Sequence, residues 1–309
     1  MAYLKQQRPE KVTVPAVRAS KERGERLVCL TAYDYPTARI VDEAGTDIVL
    51  VGDSVGNVVL GYDTTVPVTL EEMIRHTRAV RRGTERALLV ADMPYGTYHT
   101  GPDDAVRAAL RLIKEGGAEA VKLEGGRVRA EVIRRLVAEE IPVMGHIGLT
   151  PQSVNKLGGF RLQGKTAEAA RRLVEDARAI EEAGVFAMVL EVVPREIAKL
   201  VTAAVSVPTI GIGAGEFCDA QILVIHDLVG LSFTQTRPRF VRQYADLRAA
   251  MTEAVTRFAE DVRAGAYPAE SESYPLPAEA AAELSAEPIL DGDDVITGRR
   301  SALNDQSKC

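Results

Sequence analysis

The sequence predicts a parallel (β/α)8 barrel, and three observations carry that prediction. The chain has 309 residues, which suits one large barrel with a substantial core. Eight short apolar runs alternate with helix-periodic stretches between residues 27 and 231. No GxGxxG motif follows the first run, which disfavours the alternative, a doubly wound open sheet.

The eight apolar runs have strand character, because each is short, rich in β-branched residues and bounded by polar or turn-forming residues. In chain order they are Leu27–Asp34, Asp47–Asp53, Ala87–Asp92, Ala120–Gly126, Ile141–Gly148, Phe186–Pro194, Val207–Gly215 and Ile222–Leu231. The stretches between them are amphipathic, and several end in glycine as helices often do. Thr69 and Asp103 stand where helix N-caps are expected.

The two ends of the chain differ from this alternating body. Residues 1–25 are polar and basic, and we expect an arm or helix that covers the barrel bottom, within one catalytic barrel domain of residues 1–267. Residues 268–309 carry nine acidic and three basic residues, whereas the first 267 carry 35 of each. We expect this tail to be disordered apart from a short helix near Ala278–Ala286, and to be a dispensable extension or a docking tail.

Composition excludes several classes of protein. The chain is 46% hydrophobic and 27% charged, as soluble globular proteins are, and the charge-balanced body has no basic stripe, so we expect no nucleic-acid partner. The longest apolar run, Ala183–Leu190, is too short for a bilayer, and no secretory leader is visible. Three widely spaced cysteines without a CxxC pair fit a reducing cytoplasm.

Most of the predicted strands end in an ionisable residue. These residues are Asp34, Asp53, Asp92, Glu124, His146, Glu191 and Asp227. In a parallel barrel the strand ends converge on the C-terminal face, where active sites lie. Strand alternation also places Lys122 on the same side as Glu124, with Leu123 facing the helices.

Each strand-end carboxylate has to be weighed against a purely structural role. A single Asp is more often an N-cap or turn former, and we favour that role for Asp34 and Asp227. It is less credible for Asp53, Asp92 and Glu124 together, because converging carboxylates repel one another unless a cation neutralises them. Oxygen ligands suit Mg²⁺, and no His/Cys cluster has zinc spacing.

Glycines follow the seventh run in the segment GIGAG, Gly211–Gly215. The segment is equally consistent with an anion-binding loop and with close backbone packing at a tight turn.

Ordered sequence blocks add a resemblance to a known family. The blocks are TAYDYPTA, VGDSVG, PVTLEEM, RRG, ADMPYGTY, VKLEGG, HIGLTPQS, GGF, LQG, LEVVP, IGIGAG, CDAQILVIHDLVG and PRFVRQYADL. Together they resemble the ketopantoate hydroxymethyltransferase (3-methyl-2-oxobutanoate hydroxymethyltransferase) family over roughly Leu4 to Pro268. The resemblance implies a barrel like those of the phosphoenolpyruvate/pyruvate superfamily, whose mutases and lyases share a Mg²⁺-dependent barrel but lack this set of blocks.

The resemblance implies a reaction and its setting. 5,10-Methylenetetrahydrofolate would give a hydroxymethyl group to 3-methyl-2-oxobutanoate, forming 2-dehydropantoate and tetrahydrofolate on the way to pantothenate and coenzyme A. The mechanism would pass through an enolate stabilised by Mg²⁺. A cytoplasmic homodecamer is the implied assembly.

Residue by residue, the resemblance also implies roles. Asp53 and Asp92 match the family's Mg²⁺ ligands, and Glu124 matches the acidic residue that holds the metal's shell. Glu191 matches the general base. The residues that match the oxo-acid site are Asp53, Ser54, Asp92 and Lys122.

Two other functions compete with this one. A lyase or mutase on a Mg²⁺-dependent barrel usually carries a cysteine in a catalytic loop, and Cys218 in GEFCDAQ is not in such a motif. A non-catalytic binding barrel would be expected to have lost some of the strand-end carboxylates, yet all are present.

Overall fold

The computed structural model describes residues 10–159, 161–233 and 237–286, and the chain divides into two compact units, Met1–Arg248 and Ala249–Cys309. In the first unit eight parallel strands close into a barrel in the order β1 to β8, and β8 pairs with β1. The predicted fold class is confirmed.

The strands are β1 Leu27–Thr31, β2 Ile48–Val51, β3 Leu88–Asp92, β4 Ala120–Lys122, β5 Val143–Gly148, β6 Ala187–Glu191, β7 Thr209–Ile212 and β8 Ala220–Leu223. The helices are α1 Val14–Ser20, α2 Tyr35–Glu43, α3 Val55–Val58, α4 Leu70–Gly83, α5 Pro102–Arg111, α6 Ala130–Ala138, α7 Val154–Leu157, α8 Ala167–Glu182, α9 Arg195–Ala204, α10 Ile225–Leu228, α11 Leu247–Ala264 and α12 Ala278–Ala286.

Strand alternation produces two buried layers. Side chains such as Ile48, Val90 and Met144 point into the barrel and pack against one another. Their neighbours along the strands, such as Val49 and Leu89, pack outward against the helices. Polar side chains on the inward-facing positions are therefore confined to the two ends of the barrel.

The N-terminal arm closes the barrel at the amino ends of the strands. The Thr13 side chain caps α1 by accepting a hydrogen bond from the Ala16 N–H at 3.3 Å. Val17 on this helix is fully buried and joins the apolar cluster inside the barrel. The expectation that the N-terminal segment covers the barrel bottom is confirmed for the described residues.

Several local predictions are confirmed and two are wrong. Thr69 begins α4 with a capping box. Asp103 is not an N-cap, because Pro102 begins α5 and Gly101 takes that position. The eighth strand is Ala220–Leu223. The run predicted there, Ile222–Leu231, contributes only its first two residues to β8, and its residues Ile225–Leu228 form α10. A short, mostly apolar run is compatible with both a buried strand and a buried helix, so its pattern could not distinguish them.

The second unit contains most of α11 and all of α12. The helix expected at Ala278–Ala286 is present. The predicted domain boundary after residue 267 and the disorder of the tail stay predictions, and residues 287–309 of that tail lie outside the described residues.

Candidate active site

The top of the barrel interior is a layer of ionisable side chains. Strand pairing places Asp92 beside Lys122 and Gly148 beside Glu191. The inward-facing residues of this layer are Asp92, Lys122, His146 and Glu191. The apolar positions two residues earlier on each strand lie below them, so the polar layer sits directly on the apolar core.

Asp53 and Asp92 form the first part of the site. Asp53 lies two residues beyond β2, and its backbone N–H donates to Oδ2 of Asp92 at 3.0 Å. The Nζ of Lys122 lies 2.8 Å from the other oxygen of Asp92, and both of these side chains are about 5% exposed or less. Lys122 therefore contacts a carboxylate on β3 that also accepts a hydrogen bond from the segment after β2.

His146 and the two glutamates form the second part. The Nδ1 of His146 lies 3.3 Å from Nζ of Lys122 and 3.6 Å from Oε1 of Glu124. Its Nε2 lies 3.3 Å from Oε2 of Glu191. The imidazole thus stands between the two glutamates, and Glu191 is the more exposed of them, at 18% against 3%.

Ser54 lies at the edge of this cluster. Its hydroxyl and that of Tyr33 are 2.8 Å apart. Gly52 precedes the pair, and a Cβ there would approach the Ser54 Oγ to 2.8 Å and an oxygen of Asp92 to 3.5 Å. A side chain at position 52 would therefore displace the Ser54 hydroxyl and lie in contact with Asp92.

Two residues outside the predicted set complete the network. Gln152 follows β5, and its Nε2 donates to Oδ2 of Asp53 at 2.8 Å. The hydroxyl of Tyr98 donates to the Gln152 Oε1 and accepts the N–H of Glu124 at 3.3 Å. A search for ionisable strand ends passes over both, although they stand in the blocks HIGLTPQS and ADMPYGTY.

We call this network at the carboxyl ends of the strands the mouth. Two other predicted strand-end residues lie away from it. Asp34 caps α2 by accepting the Thr37 N–H at 2.8 Å, which confirms its structural role. Asp227 lies in α10 rather than at a strand end and accepts a hydrogen bond from Ser232.

Burial and mutual repulsion shape the electrostatics of the mouth. Burial raises the pKa of Asp53 to about 7, and the Asp92 carboxylate adds to the rise. Burial also raises the pKa of Glu124 well above its usual value. Burial alone would lower the pKa of Lys122, but Asp92, Glu124 and Asp53 together raise it above its usual value. The mouth therefore gathers more acidic groups than it has cations to balance them.

The backbone around Glu191 is held tightly. Val192 has φ of 46°, in the left-handed region that a β-branched residue rarely adopts. Its N–H donates to the carbonyl of Ile212 at 2.8 Å. On the other side, Gly148 has φ of 97°, and a Cβ there would collide with the carbonyl oxygen of Glu191. The neighbouring strands β5 and β7 thus restrict the backbone position of Glu191.

Comparison with known proteins identifies the family. A model of the family described as Ketopantoate hydroxymethyltransferase matches residues 11–270. A curated relative from Koribacter versatilis (strain Ellin345), named 3-methyl-2-oxobutanoate hydroxymethyltransferase, is 55% identical over 274 residues, covering 89% of this chain and 92% of the relative. The chain belongs to the ketopantoate hydroxymethyltransferase family.

Further comparisons agree with that membership. A protein of the same name from Moorella thermoacetica (strain ATCC 39073 / JCM 9320) is 55% identical over 264 residues, covering 85% of this chain and 98% of the relative. The crystal structure of 2,3-dimethylmalate lyase, a PEP mutase/isocitrate lyase superfamily member, is similar with a TM-score of 0.55 and 17% identity, covering 90% of this chain and 99% of that chain. At that identity the likeness concerns the fold alone.

Membership in the ketopantoate hydroxymethyltransferase family confirms the predicted family and the predicted enzyme class. It favours a hydroxymethyltransferase over the lyase or mutase and over the non-catalytic barrel. Among the described residues, no helix is both long enough and apolar enough to cross a membrane.

Proposed function

We propose that this chain transfers the one-carbon unit of 5,10-methylenetetrahydrofolate to 3-methyl-2-oxobutanoate, giving 2-dehydropantoate and tetrahydrofolate for pantothenate and coenzyme A synthesis. Water supplies the oxygen of the new hydroxyl group. The observation that carries the proposal is the buried layer of Asp92, Lys122, His146 and Glu191, joined by Asp53 and Glu124, at the carboxyl ends of five consecutive strands.

The donor set of this layer fits Mg²⁺. Within the described ranges, no three Asp, Glu, His or Cys side chains are placed to hold a metal by themselves. Mg²⁺ commonly takes only one or two protein carboxylates and completes its shell with water and substrate oxygens. We assign Asp53 and Asp92 as its ligands and Glu124 as the residue that holds its shell. Burial and repulsion between carboxylates raise the pKa of Asp53 and of Glu124, and a divalent cation among them would relieve that repulsion.

When bound, Mg²⁺ would supply positive charge beside the keto and carboxylate oxygens of the oxo acid. Lys122 adds a fixed positive charge to the same region, because its Nζ lies 2.8 Å from Asp92. Ser54 offers a hydroxyl that Tyr33 holds at 2.8 Å. These groups bind and orient the oxo acid so that its C3–H faces Glu191.

Glu191 removes the proton from C3. Its carboxylate is the most exposed of the acidic groups in the layer, so substrate can reach it. The His146 Nε2 at 3.3 Å from Glu191 restricts the carboxylate's rotation. The carbon left with the electron pair then forms the new C–C bond to the methylene carbon of the folate. Water replaces the folate nitrogens on that carbon, so both C–N bonds break and the hydroxyl group is formed. The proton from C3 and one proton from water end on the two nitrogens of tetrahydrofolate.

Deuterium exchange tests this function directly. The full chain is mixed with Mg²⁺ and 3-methyl-2-oxobutanoate in D2O, and the C3 proton is followed by NMR with and without EDTA. We expect exchange that depends on Mg²⁺ and turnover when methylenetetrahydrofolate is added. Absence of exchange would favour a non-catalytic barrel, and cleavage products would favour a lyase.

The cysteines support the transferase over a cysteine-dependent lyase. Cys29 and Cys218, which lie in the described part of the chain, are both buried and free. Burial raises the pKa of both thiols, which keeps them protonated and poorly reactive near neutral pH.

We also propose that the enzyme is a cytoplasmic homodecamer. Helix α11 supports self-association, because Met251, Val255, Phe258 and Val262 follow helical spacing and form one apolar face. All four side chains are exposed in the single chain. Contact with a second copy of the chain would bury this apolar face. Light scattering of the purified chain tests the assembly, and a monomer at micromolar concentration would contradict it.

A further inference from the structure

Gln152 is a buried amide at the centre of the mouth that the proposed reaction does not use. It lies in the short 3-10 turn Pro151–Ser153 that follows β5, and it is 4% exposed. It makes hydrogen bonds to segments that follow β2, β3 and β4. One residue therefore contacts three of the loops that carry the acidic groups.

The hydrogen bonds of its side chain define one orientation. Nε2 donates to Oδ2 of Asp53 at 2.8 Å and to the carbonyl oxygen of Met93 at 3.0 Å. A carbonyl oxygen can only accept, and so can an ionised carboxylate, so the NH2 side of the amide has to face them. The opposite side, Oε1, accepts the hydroxyl of Tyr98. All three side-chain interactions are lost if the amide is replaced by an apolar group.

The backbone of Gln152 holds a second acid. Its N–H donates to Oε2 of Glu124 at 3.1 Å. The hydroxyl of Tyr98 also accepts the N–H of Glu124 at 3.3 Å, so the same pair fixes both the main chain and the side chain of that residue. Since Asp53 and Glu124 repel each other, donors between them are needed to keep both in place.

We propose that Gln152 is a positioning residue that holds Asp53 and Glu124 in the arrangement that receives the divalent cation. This inference rests on the proposed function, because that function assigns a cation to this mouth. Groups that orient metal ligands through hydrogen bonds typically contribute about 10–100-fold to metal affinity. The amide of Gln152 takes that role for Asp53, and Tyr98 keeps the amide in its orientation.

Binding of Mn²⁺ to the full-length protein, followed by the EPR signal of the free ion, tests the inference without turnover. Gln152→Leu keeps a side chain of similar size but removes its hydrogen bonds. We expect its Mn²⁺ affinity to fall about 10–100-fold. The matched control is Thr77→Val, which removes a buried 2.6 Å hydrogen bond to Met73 within α4. We expect this variant to lose thermal stability but to bind Mn²⁺ as the wild type does.

Two further measurements separate positioning from general destabilisation. If Gln152 acts through the metal, raising Mg²⁺ should restore most of the deuterium-exchange rate of Gln152→Leu. Tyr98→Phe, which removes only the hydroxyl that orients the amide, should weaken Mn²⁺ binding in the same direction but less. Gln152→Asn, whose amide is one methylene shorter, replaces the leucine variant if that variant does not fold, and the same loss is expected.

The outcomes are distinct. Wild-type affinity for Mn²⁺ in the folded Gln152 variant would overturn the positioning role while leaving the proposed function intact. Failure of the wild type itself to bind Mn²⁺ or Mg²⁺ would overturn the proposed metal site, and the positioning role would fall with it. An affinity loss shared equally by Thr77→Val would show that the effect is not specific to the mouth and would also overturn the inference.

Discussion

The two ends of the barrel carry acidic residues in opposite circumstances. At the amino ends of the strands, three acids each contact a basic side chain. The pairs are Asp47 with Arg86 at 2.8 Å, Glu119 with Lys11 at 2.6 Å, and Asp219 with Lys21 at 3.2 Å. At the carboxyl ends Asp53, Asp92, Glu124 and Glu191 lie around one lysine, Lys122.

This difference indicates that the charges at the amino ends serve stability, whereas those at the mouth serve function. Paired, partly exposed charges at the bottom tie the strands to the N-terminal helix and to neighbouring loops. Crowded, buried carboxylates at the mouth oppose folding unless a cation joins them, and a protein keeps such an arrangement where it serves binding or catalysis. Substitutions at the two ends should therefore have effects of different kinds.

The largest contrast should appear in catalysis. We expect Glu191→Gln to lower the rate of C3 deuterium exchange by about 10²–10⁴-fold, because a positioned base is lost. The matched substitution at the bottom, Glu119→Gln, should leave the exchange rate within about twofold, because the contacts of Glu119 with Lys11, Arg81 and the Leu89 N–H lie at the opposite end of the barrel from the site. Near wild-type exchange in Glu191→Gln would remove that residue from the base role.

A second contrast concerns the apolar contact between α1 and the barrel interior at the amino ends of the strands. Val17→Ala leaves a cavity between α1 and the barrel interior, and we expect it to lower the free energy of unfolding by about 2 kcal/mol. Urea denaturation measures the loss. The Mn²⁺ affinity and the KM for the oxo acid should be unchanged, and a change in either would mean that the bottom also governs the site.

Removing one acid at each end should change stability in opposite directions. In the metal-free protein Asp53→Asn relieves repulsion at the mouth and should raise the free energy of unfolding by about 1 kcal/mol. Asp219→Asn gives up the charge that faces Lys21 and should lower it by a similar amount, about 1 kcal/mol. Asp53→Asn should also weaken binding of Mg²⁺ and oxo acid. Changes of the same sign at both ends would contradict the comparison.

The last contrast is a dependence of stability on pH. The pKa of Asp53 is about 7 in the folded protein and near its ordinary value of 3.8 when unfolded. The folded chain therefore binds more protons between these values, and Asp53 contributes stability that is lost as pH rises through about 7. In EDTA, wild type should lose stability relative to Asp53→Asn between about pH 4 and pH 7 and change little above that. Parallel urea curves across that range would contradict this.

The sequence predicts the barrel well, because eight strands with repeated periodicity leave few alternatives. The acids at the mouth can be predicted from the same pattern, because they stand at the ends of the predicted strands, and those ends converge on the carboxyl face of a barrel. The extent of the eighth strand does not follow, because the run Ile222–Leu231 is mostly apolar and is compatible with a strand or, as observed at Ile225–Leu228, with a helix.

The uncharged residues of the site could not be predicted from a sequence pattern. Gln152 and Tyr98 carry no charge, and their importance comes from hydrogen bonds between segments 54 residues apart in the chain. The same holds for the left-handed backbone at Val192, since valine gives no local signal for that conformation. Tertiary contacts impose these features, and only the assembled fold reveals them.

The backbone of Val192 has a practical consequence for protein engineering. A library selected for heat resistance should enrich glycine or asparagine at this position, because both relax the left-handed conformation that valine tolerates poorly. Those survivors would anchor the preceding glutamate less firmly. Heat-resistant clones with a change at 192 should therefore be screened for turnover before they are adopted as scaffolds.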